Sequence, residues 1–168
     1  MKAYVIKKGA TGFEALQKTN LDDPVPGSNE VVVRIRATSL NYRDLIYVGP
    51  AGRGGPPPRD FVALSDGAGE IAAVGANVKR VKVGDRVATS FFPRWVEGPP
   101  AREKLGALGS PAHDGTLSEL MLIHEDGVAL VPSYLTTEEA GALSCAAVTA
   151  WNALFHAGGQ LKPTDTVL

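Results

Sequence analysis

The sequence predicts a mainly β domain of six to eight strands that ends in a helical segment, and three observations carry that reading. The 19 glycines and 12 prolines lie mostly in the first 135 residues, where so many punctuators favour short strands and turns over long helices. Val31-Val32-Val33-Arg34-Ile35-Arg36-Ala37 alternates, with Val31, Val33, Ile35 and Ala37 facing one way and Arg34 and Arg36 the other. After Pro132 the composition turns alanine-rich and loses that alternation.

The elements follow in order. Residues 3–7 suit a first strand, and 11–19 a strand paired with it. Residues 22–30, with Pro24, Pro26 and Gly27, form a turn-rich connection to the clear strand at 31–37. A helical turn or two is expected around Tyr42–Val48. Residues 49–60 hold four glycines and four prolines, a composition that supports only a loop. Strands are expected at 68–74 and 86–90, with a turn at Val83-Gly84-Asp85-Arg86 in which Asp85 can bond local amides. Residues 92–114 form a long excursion, and a loop of that length is more often functional than decorative. Leu117–Ile123 and Val128–Val131 read as two further strands, with Glu125-Asp126-Gly127 between them as a hairpin signal. Thr136-Thr137-Glu138-Glu139 fits a capping box: the Thr136 hydroxyl can take the Glu139 amide while the Glu139 carboxylate reaches back to the Thr136 amide. A helix is then expected to Ala157, with Gly158-Gly159 as its stop and a strand opening at Thr166.

Composition narrows the function. The charge is nearly balanced, at −1, so no basic surplus points to nucleic acid or to an anionic membrane surface. Lys79, Arg80 and Lys82 read as a solvated turn. No apolar run approaches the length of a membrane span, and Met1–Ala10 reads as a strand rather than as a signal peptide. Cys145 is the single cysteine, which precludes an internal disulfide and fits a cytoplasmic setting. The expected partner is a small molecule.

Several motifs combine. Asp66-Gly67-Ala68-Gly69-Glu70, Val74-Gly75 and Val83-Gly84-Asp85-Arg86-Val87 are each weak alone. At this spacing, together with Asn41-Tyr42-Arg43-Asp44-Leu45 after a strand, with Cys145–Leu154 and with Gln160–Leu168, they resemble the quinone-oxidoreductase branch of the medium-chain dehydrogenases/reductases. The resemblance implies a GroES-like, partly open β-barrel with short helices. It assigns residues 1–135 to the catalytic, substrate-side domain, and 136–168 to a helical crossover leading to a Rossmann nucleotide-binding domain. NADPH or NADH would be bound mainly by that Rossmann domain, whose Gly-rich phosphate loop has no counterpart here; Gly52-Arg53-Gly54-Gly55 lacks the preceding strand and following helix. The complete enzyme could be a homo-oligomer.

The resemblance also bears on zinc. Zinc-dependent members carry Cys, His, and Cys or an acid where this chain has Asn41, Asp66 and Cys145, and zinc prefers three thiolate or imidazole donors. The four cysteines of a structural zinc are absent from 92–114. A zinc-independent site is therefore expected, in which hydrogen-bond donors polarise the substrate carbonyl. Asn41 offers an amide, and Tyr42 a phenol that could also give a proton. Asp44 could orient Asn41 or Arg43. Read from the residues alone, Asn41 and Asp44 are turn caps, and it is the resemblance that assigns them to a site. Tyr47 competes with Tyr42 for the proton, since relatives place a tyrosine a few residues further on. Asp66, Cys145 and Thr149 would lie near the nicotinamide, Thr149 one helical turn after Cys145. Phe92 and Trp95 would wall an apolar pocket, and core packing accounts for Phe91 and Phe92 as well. Two rival readings are a zinc-type alcohol dehydrogenase with atypical ligands and a non-catalytic GroES-like binding module.

Overall fold

The structure is a computed structural model, and it describes residues 1–49, 54–157, 161–162 and 164–167. Eight strands are present among these residues: β1 (Lys2–Ile6), β2 (Leu16–Asn20), β3 (Glu30–Ser39), β4 (Phe61–Val62), β5 (Asp66–Val74), β6 (Arg86–Thr89), β7 (Leu120–His124) and β8 (Val128–Leu130). They form a three-stranded sheet, β2-β1-β4, and a five-stranded sheet, β7-β3-β5-β6-β8.

The valine run nucleates the larger sheet. Val31, Val32 and Val33 are all buried, because β3 is central and is covered beyond what a strict alternation would give. β3 pairs antiparallel with β5 from Val31↔Val74 to Ser39↔Asp66, and with β7 from Glu30↔His124 to Arg34↔Leu120. The β3–β5 register shifts between Val32 and Val33 and again between Ile35 and Ala37, and such bulges bend a strand. Gly69 lies opposite Ile35, where a Cβ would stand 2.0 Å from the Arg34 carbonyl oxygen, so only glycine permits this close approach. Behind the sheet, Val31, Val33, Ile71, Val87, Leu108, Met121, Ile123 and Val128 form the main core. A second cluster, of Ile6, Ala15, Val48, Phe61, Ala63 and Leu64, lies under the smaller sheet.

The segment at 116–119 joins the two sheets. Tyr4 N–H donates to the Leu117 carbonyl (2.9 Å), Leu117 N–H to Ala63 (3.0 Å) and Ile35 N–H to Glu119 (3.1 Å). This stitching explains why the regular ladder of β7 begins at Leu120 rather than at Leu117.

Three expectations need correction. Glu125-Asp126-Gly127 is not a hairpin. It is a single 3-10 turn, and β7 and β8 lie on opposite edges of the five-stranded sheet. The Glu125 carboxylate accepts the Lys79 and Arg80 amides (2.8 and 2.9 Å), and Ser90 N–H donates to the Gly127 carbonyl (2.8 Å), so the turn is tied to neighbouring loops and not to a β7–β8 ladder. The sheet curls enough for three residues to link its two edges, and without that ladder the barrel stays open. Second, the strand expected over 11–19 is confined to β2; Gly12, at φ +78°, turns the chain into a 3-10 turn at Phe13–Ala15 first. Third, β4 was not expected: Phe61 and Val62 form a short pair with Ile6 and Val5 right after the proline run.

The helical segment is also more broken than its alanine content suggests. α2 (Thr137–Ala140) starts at the expected box, with Glu139 N–H on the Thr136 hydroxyl (3.1 Å) and Thr136 N–H on the Glu139 carboxylate (2.8 Å). Wider π turns at Leu143–Ala147 and Ala153–Ala157 flank α3 (Val148–Asn152). Gly158-Gly159 and Pro50–Arg53 lie outside the described residues, and Thr164–Val167 form no strand.

Candidate active site

β3 ends at Ser39, and the chain turns at Asn41 into a 3-10 turn, Tyr42–Asp44, followed by α1 (Leu45–Val48). The Asp44 carboxylate accepts the Asn41 backbone N–H at 2.8 Å, and Asp44 N–H donates to the Asn41 carbonyl at 3.0 Å. Both residues therefore do cap the turn. The Asn41 side chain has a further property that capping does not explain. Its Nδ2 is buried and has no hydrogen-bond partner among the described residues. A buried amide donor left unpaired costs free energy, so an acceptor supplied from outside the chain would be rewarded there.

Charged groups surround this turn. Burial is the main cause that raises the Asp44 carboxyl above its ordinary value, and the Asn41 amide and Arg43 oppose it. Arg43 lies 3.6 Å from the Asp44 carboxylate, donates to the Leu108 carbonyl (3.2 Å) and sits over the Phe91 ring at 4.9 Å. Arg43 thus connects the turn to the 92–114 excursion. Beyond Phe91 lie Phe92 (4.6 Å between ring centroids) and Trp95 (5.9 Å from Phe92), a continuous aromatic ledge.

Asp66, the first residue of β5, is fully buried and forms no ion pair among the described residues. The Ser65 hydroxyl donates to one carboxylate oxygen (3.1 Å) and the Cys145 backbone N–H to the other (2.9 Å). The Asp66 carbonyl takes the Thr38 and Thr116 hydroxyls (2.5 and 2.9 Å). Next to this, the Ser144 hydroxyl donates to the Thr89 carbonyl. The start of the crossover segment is therefore fastened to β5 and β6 by two hydrogen bonds. Burial raises the Cys145 thiol, Asp66 and Asp44 push it the same way, and Arg43 opposes them.

Of the residues singled out from the sequence, Asn41, Asp44, Asp66 and Cys145 thus share one neighbourhood, and Phe92 and Trp95 reach it through Arg43 and Phe91. Tyr42 is 84% exposed, whereas Tyr47 is half-buried and packs edge-on against Phe61 (5.0 Å). Thr149 is exposed on α3. Arg43, considered from the sequence only as something Asp44 might orient, is the connecting residue. Nothing local in the sequence marks the hydroxyls of Thr38 and Thr116, whose partners lie 28 to 78 residues away, whereas the Ser65 hydroxyl bonds its chain neighbour Asp66.

The alcohol dehydrogenase GroES-like domain family matches residues 27–133. The chain belongs to that family. A zinc-type alcohol dehydrogenase-like protein of Schizosaccharomyces pombe is 36% identical over 172 residues, spanning 98% of this chain and 48% of its own length. A quinone oxidoreductase of Pseudomonas aeruginosa is 33% identical over 160 residues, spanning 94% of this chain and 41% of its own. The crystal structure of Escherichia coli quinone oxidoreductase complexed with NADPH superposes with a TM-score of 0.70 at 26% identity, over 94% of this chain and 41% of that one. The chain spans about half the length of the curated relatives it matches.

In this GroES-like domain the zinc question turns on donor chemistry. Among the described residues no three His, Cys, Asp or Glu side chains converge as a metal-binding group. Asp66 has each carboxylate oxygen engaged by a neighbour, and Asn41 offers a neutral amide in place of a thiolate.

Proposed function

We propose that this GroES-like domain is the substrate-side half of an NAD(P)H-dependent oxidoreductase that delivers hydride, without zinc, to an activated double bond or carbonyl such as a quinone, enone or aldehyde. The observation that carries this reading is the buried, unpartnered Nδ2 of Asn41. A carbonyl oxygen placed against it would complete its hydrogen bonding. As hydride arrives, that oxygen gains negative charge, and a donor already in position stabilises charge that develops late more than it stabilises the ground state. Asp44 fixes the donor by holding the Asn41 backbone. Arg43 keeps a positive charge beside the same turn, and Phe92 and Trp95 offer an apolar ledge for a flat substrate.

A nicotinamide cofactor fits this donor set. It would supply hydride, and Asn41, Cys145 and Thr149 are the residues of this chain that would meet it. Residues 1–135 would form the substrate domain and 136–168 the crossover to a nucleotide-binding half, in keeping with relatives about twice as long. For the proton, the open phenol of Tyr42 is favoured over Tyr47, whose ring is committed to the second core cluster.

The zinc-type reading has the Schizosaccharomyces pombe relative in its favour, but it asks Asp66 to give up the Cys145 amide to bind metal. Assay of the full-length enzyme with NADPH and NADH against quinones and enones, beside elemental analysis, separates the two. Turnover is expected from protein with far less than one zinc per chain. Turnover that tracks zinc content, and is lost on chelation, would overturn it.

A further inference from the structure

A second candidate binding site lies where the two sheets join, away from the Asn41 turn. There a cavity of about 300 Å³ opens between the outer face of β1–β2 and the end of β3, lined also by the 116–119 segment. The β1–β2 register, Lys2↔Asn20 and Tyr4↔Lys18, puts Lys2, Tyr4 and Lys18 on one face, opposite the buried Ala3 and Val5. Arg36, exposed on β3, lines the same opening.

The chemistry of this trough is one-sided. Three cations, Lys2, Lys18 and Arg36, line it against a single carboxylate, Glu119. That carboxylate is already occupied by the Lys2 backbone N–H at 2.7 Å. Arg36 shares its charge with Glu70 at 3.2 Å, and both partners are about half exposed, so the pair is weak and open to competition. Neither lysine ammonium has a carboxylate partner among the described residues. Apolar lining comes from Ile35, Ala37 and Leu117, with Tyr4 beside them. The Ser118 hydroxyl is turned to the Leu120 carbonyl (2.8 Å) and does not compete.

An apolar lining beside cationic groups matches one kind of occupant. We propose that this trough binds a small organic anion with a flat or aliphatic body and a phosphate or carboxylate head. The body would cover Ile35 and Leu117 and stack on Tyr4. The head would sit among Lys2, Lys18 and Arg36 and gain charge-assisted hydrogen bonds. The cavity is at the small end of ligand-site volumes, about 300–1,000 Å³, which suits a single ring and not a dinucleotide. The trough contains none of the residues given a part in the proposed reaction, and of the groups around Asp66 only Thr38 and Thr116 also line it, so this inference stands whether or not the oxidoreductase reading does.

The test uses the chain with phenyl phosphate as probe, followed by NMR amide shifts, with inorganic phosphate and phenol as the two separated halves. The expected result is saturable phenyl phosphate binding with a dissociation constant at or below about 1 mM. Shifts should be centred on residues 2–4, 18, 35–38 and 116–119, and each half alone should bind more weakly. Lys2→Glu combined with Lys18→Glu should weaken binding at least about tenfold. Both side chains are exposed, so the variant should keep its melting temperature. Arg36→Gln gives a second, independent reading in case that variant misfolds, and it too should weaken binding. No saturation, shifts centred instead on Asn41 and Cys145, equal binding of phenol, or affinity unchanged in both variants would each overturn the proposal.

Discussion

The sheet framework and the crossover segment handle apolar side chains in opposite ways. In the framework, Val31, Val33, Ile71 and Val87 are each at most 1% exposed. In the crossover, Val148, Trp151 and Phe155 are 60%, 62% and 47% exposed, and Trp151 stacks mainly on Phe155 (4.6 Å between centroids). The framework is therefore stabilised by burial, whereas the crossover, which buries Ala140 near its start, is fastened to the framework by discrete polar contacts, Ser144 on Thr89 and Cys145 on Asp66. The candidate site lies at the boundary of the two regions. Asn41 and Asp44 are set by the framework, and Cys145 by the fastening.

This contrast can be broken from either side. Ile71→Ala, in the framework, should cost about 2–5 kcal/mol in urea unfolding, the loss typical when a core aliphatic leaves a cavity. A loss below about 1 kcal/mol would mean that the main core is looser than described. Asp66→Ala acts on the fastening. It strands the Cys145 amide and the Ser65 hydroxyl and should cost about 1–3 kcal/mol. Hydrogen exchange at the Cys145 amide should rise with it, and an unchanged exchange rate would show that the crossover is held by something else. Trp151→Ala should change stability by no more than about 0.5 kcal/mol, because the residue buries little. A larger loss would place Trp151 in a core that this structure does not contain.

The smallest effect concerns Asp44. Its carboxyl is raised when folded, chiefly by burial, so the folded state holds the proton more tightly than the unfolded state does. Asp44 therefore lowers stability as pH rises from the ordinary carboxylate range through the raised folded value, and costs nothing below that range. Asp44→Asn keeps an acceptor for the Asn41 amide and should remove that part of the pH profile. An identical profile in the variant would show that Asp44 titrates normally.

Much of the framework was legible because it depends on local rules. Strand alternation at Val31–Ala37, the Thr136–Glu139 box and the Lys82–Asp85 turn, where the Asp85 carboxylate takes the Lys82 amide at 2.9 Å, each need only a few neighbouring residues. The misreading of Glu125–Gly127 has the opposite origin. Its turn chemistry is local, but the pairing of β7 with β3 and of β8 with β6 is decided far away in the chain. The site divides along the same line. Asn41 and Asp44 sit in one turn and were visible as a pair. The linking role of Arg43 depends on Leu108 and Phe91, and the setting of Asp66 on Cys145, 79 residues on. No periodicity or spacing carries such contacts.

On the proposed reading, the Asn41 amide is held without a partner among the described residues so that it can serve the reacting oxygen. Steady-state kinetics of Asn41→Ala in the full-length enzyme test it most directly. Removing one such donor typically costs about 10²–10³ in turnover. The account predicts a fall in kcat of that size with KM changed by only a few-fold, because the lost bond acts on charge present mainly in the transition state. An unchanged kcat, in a variant that melts like the wild type, would contradict it and leave Asn41 as the cap of a turn.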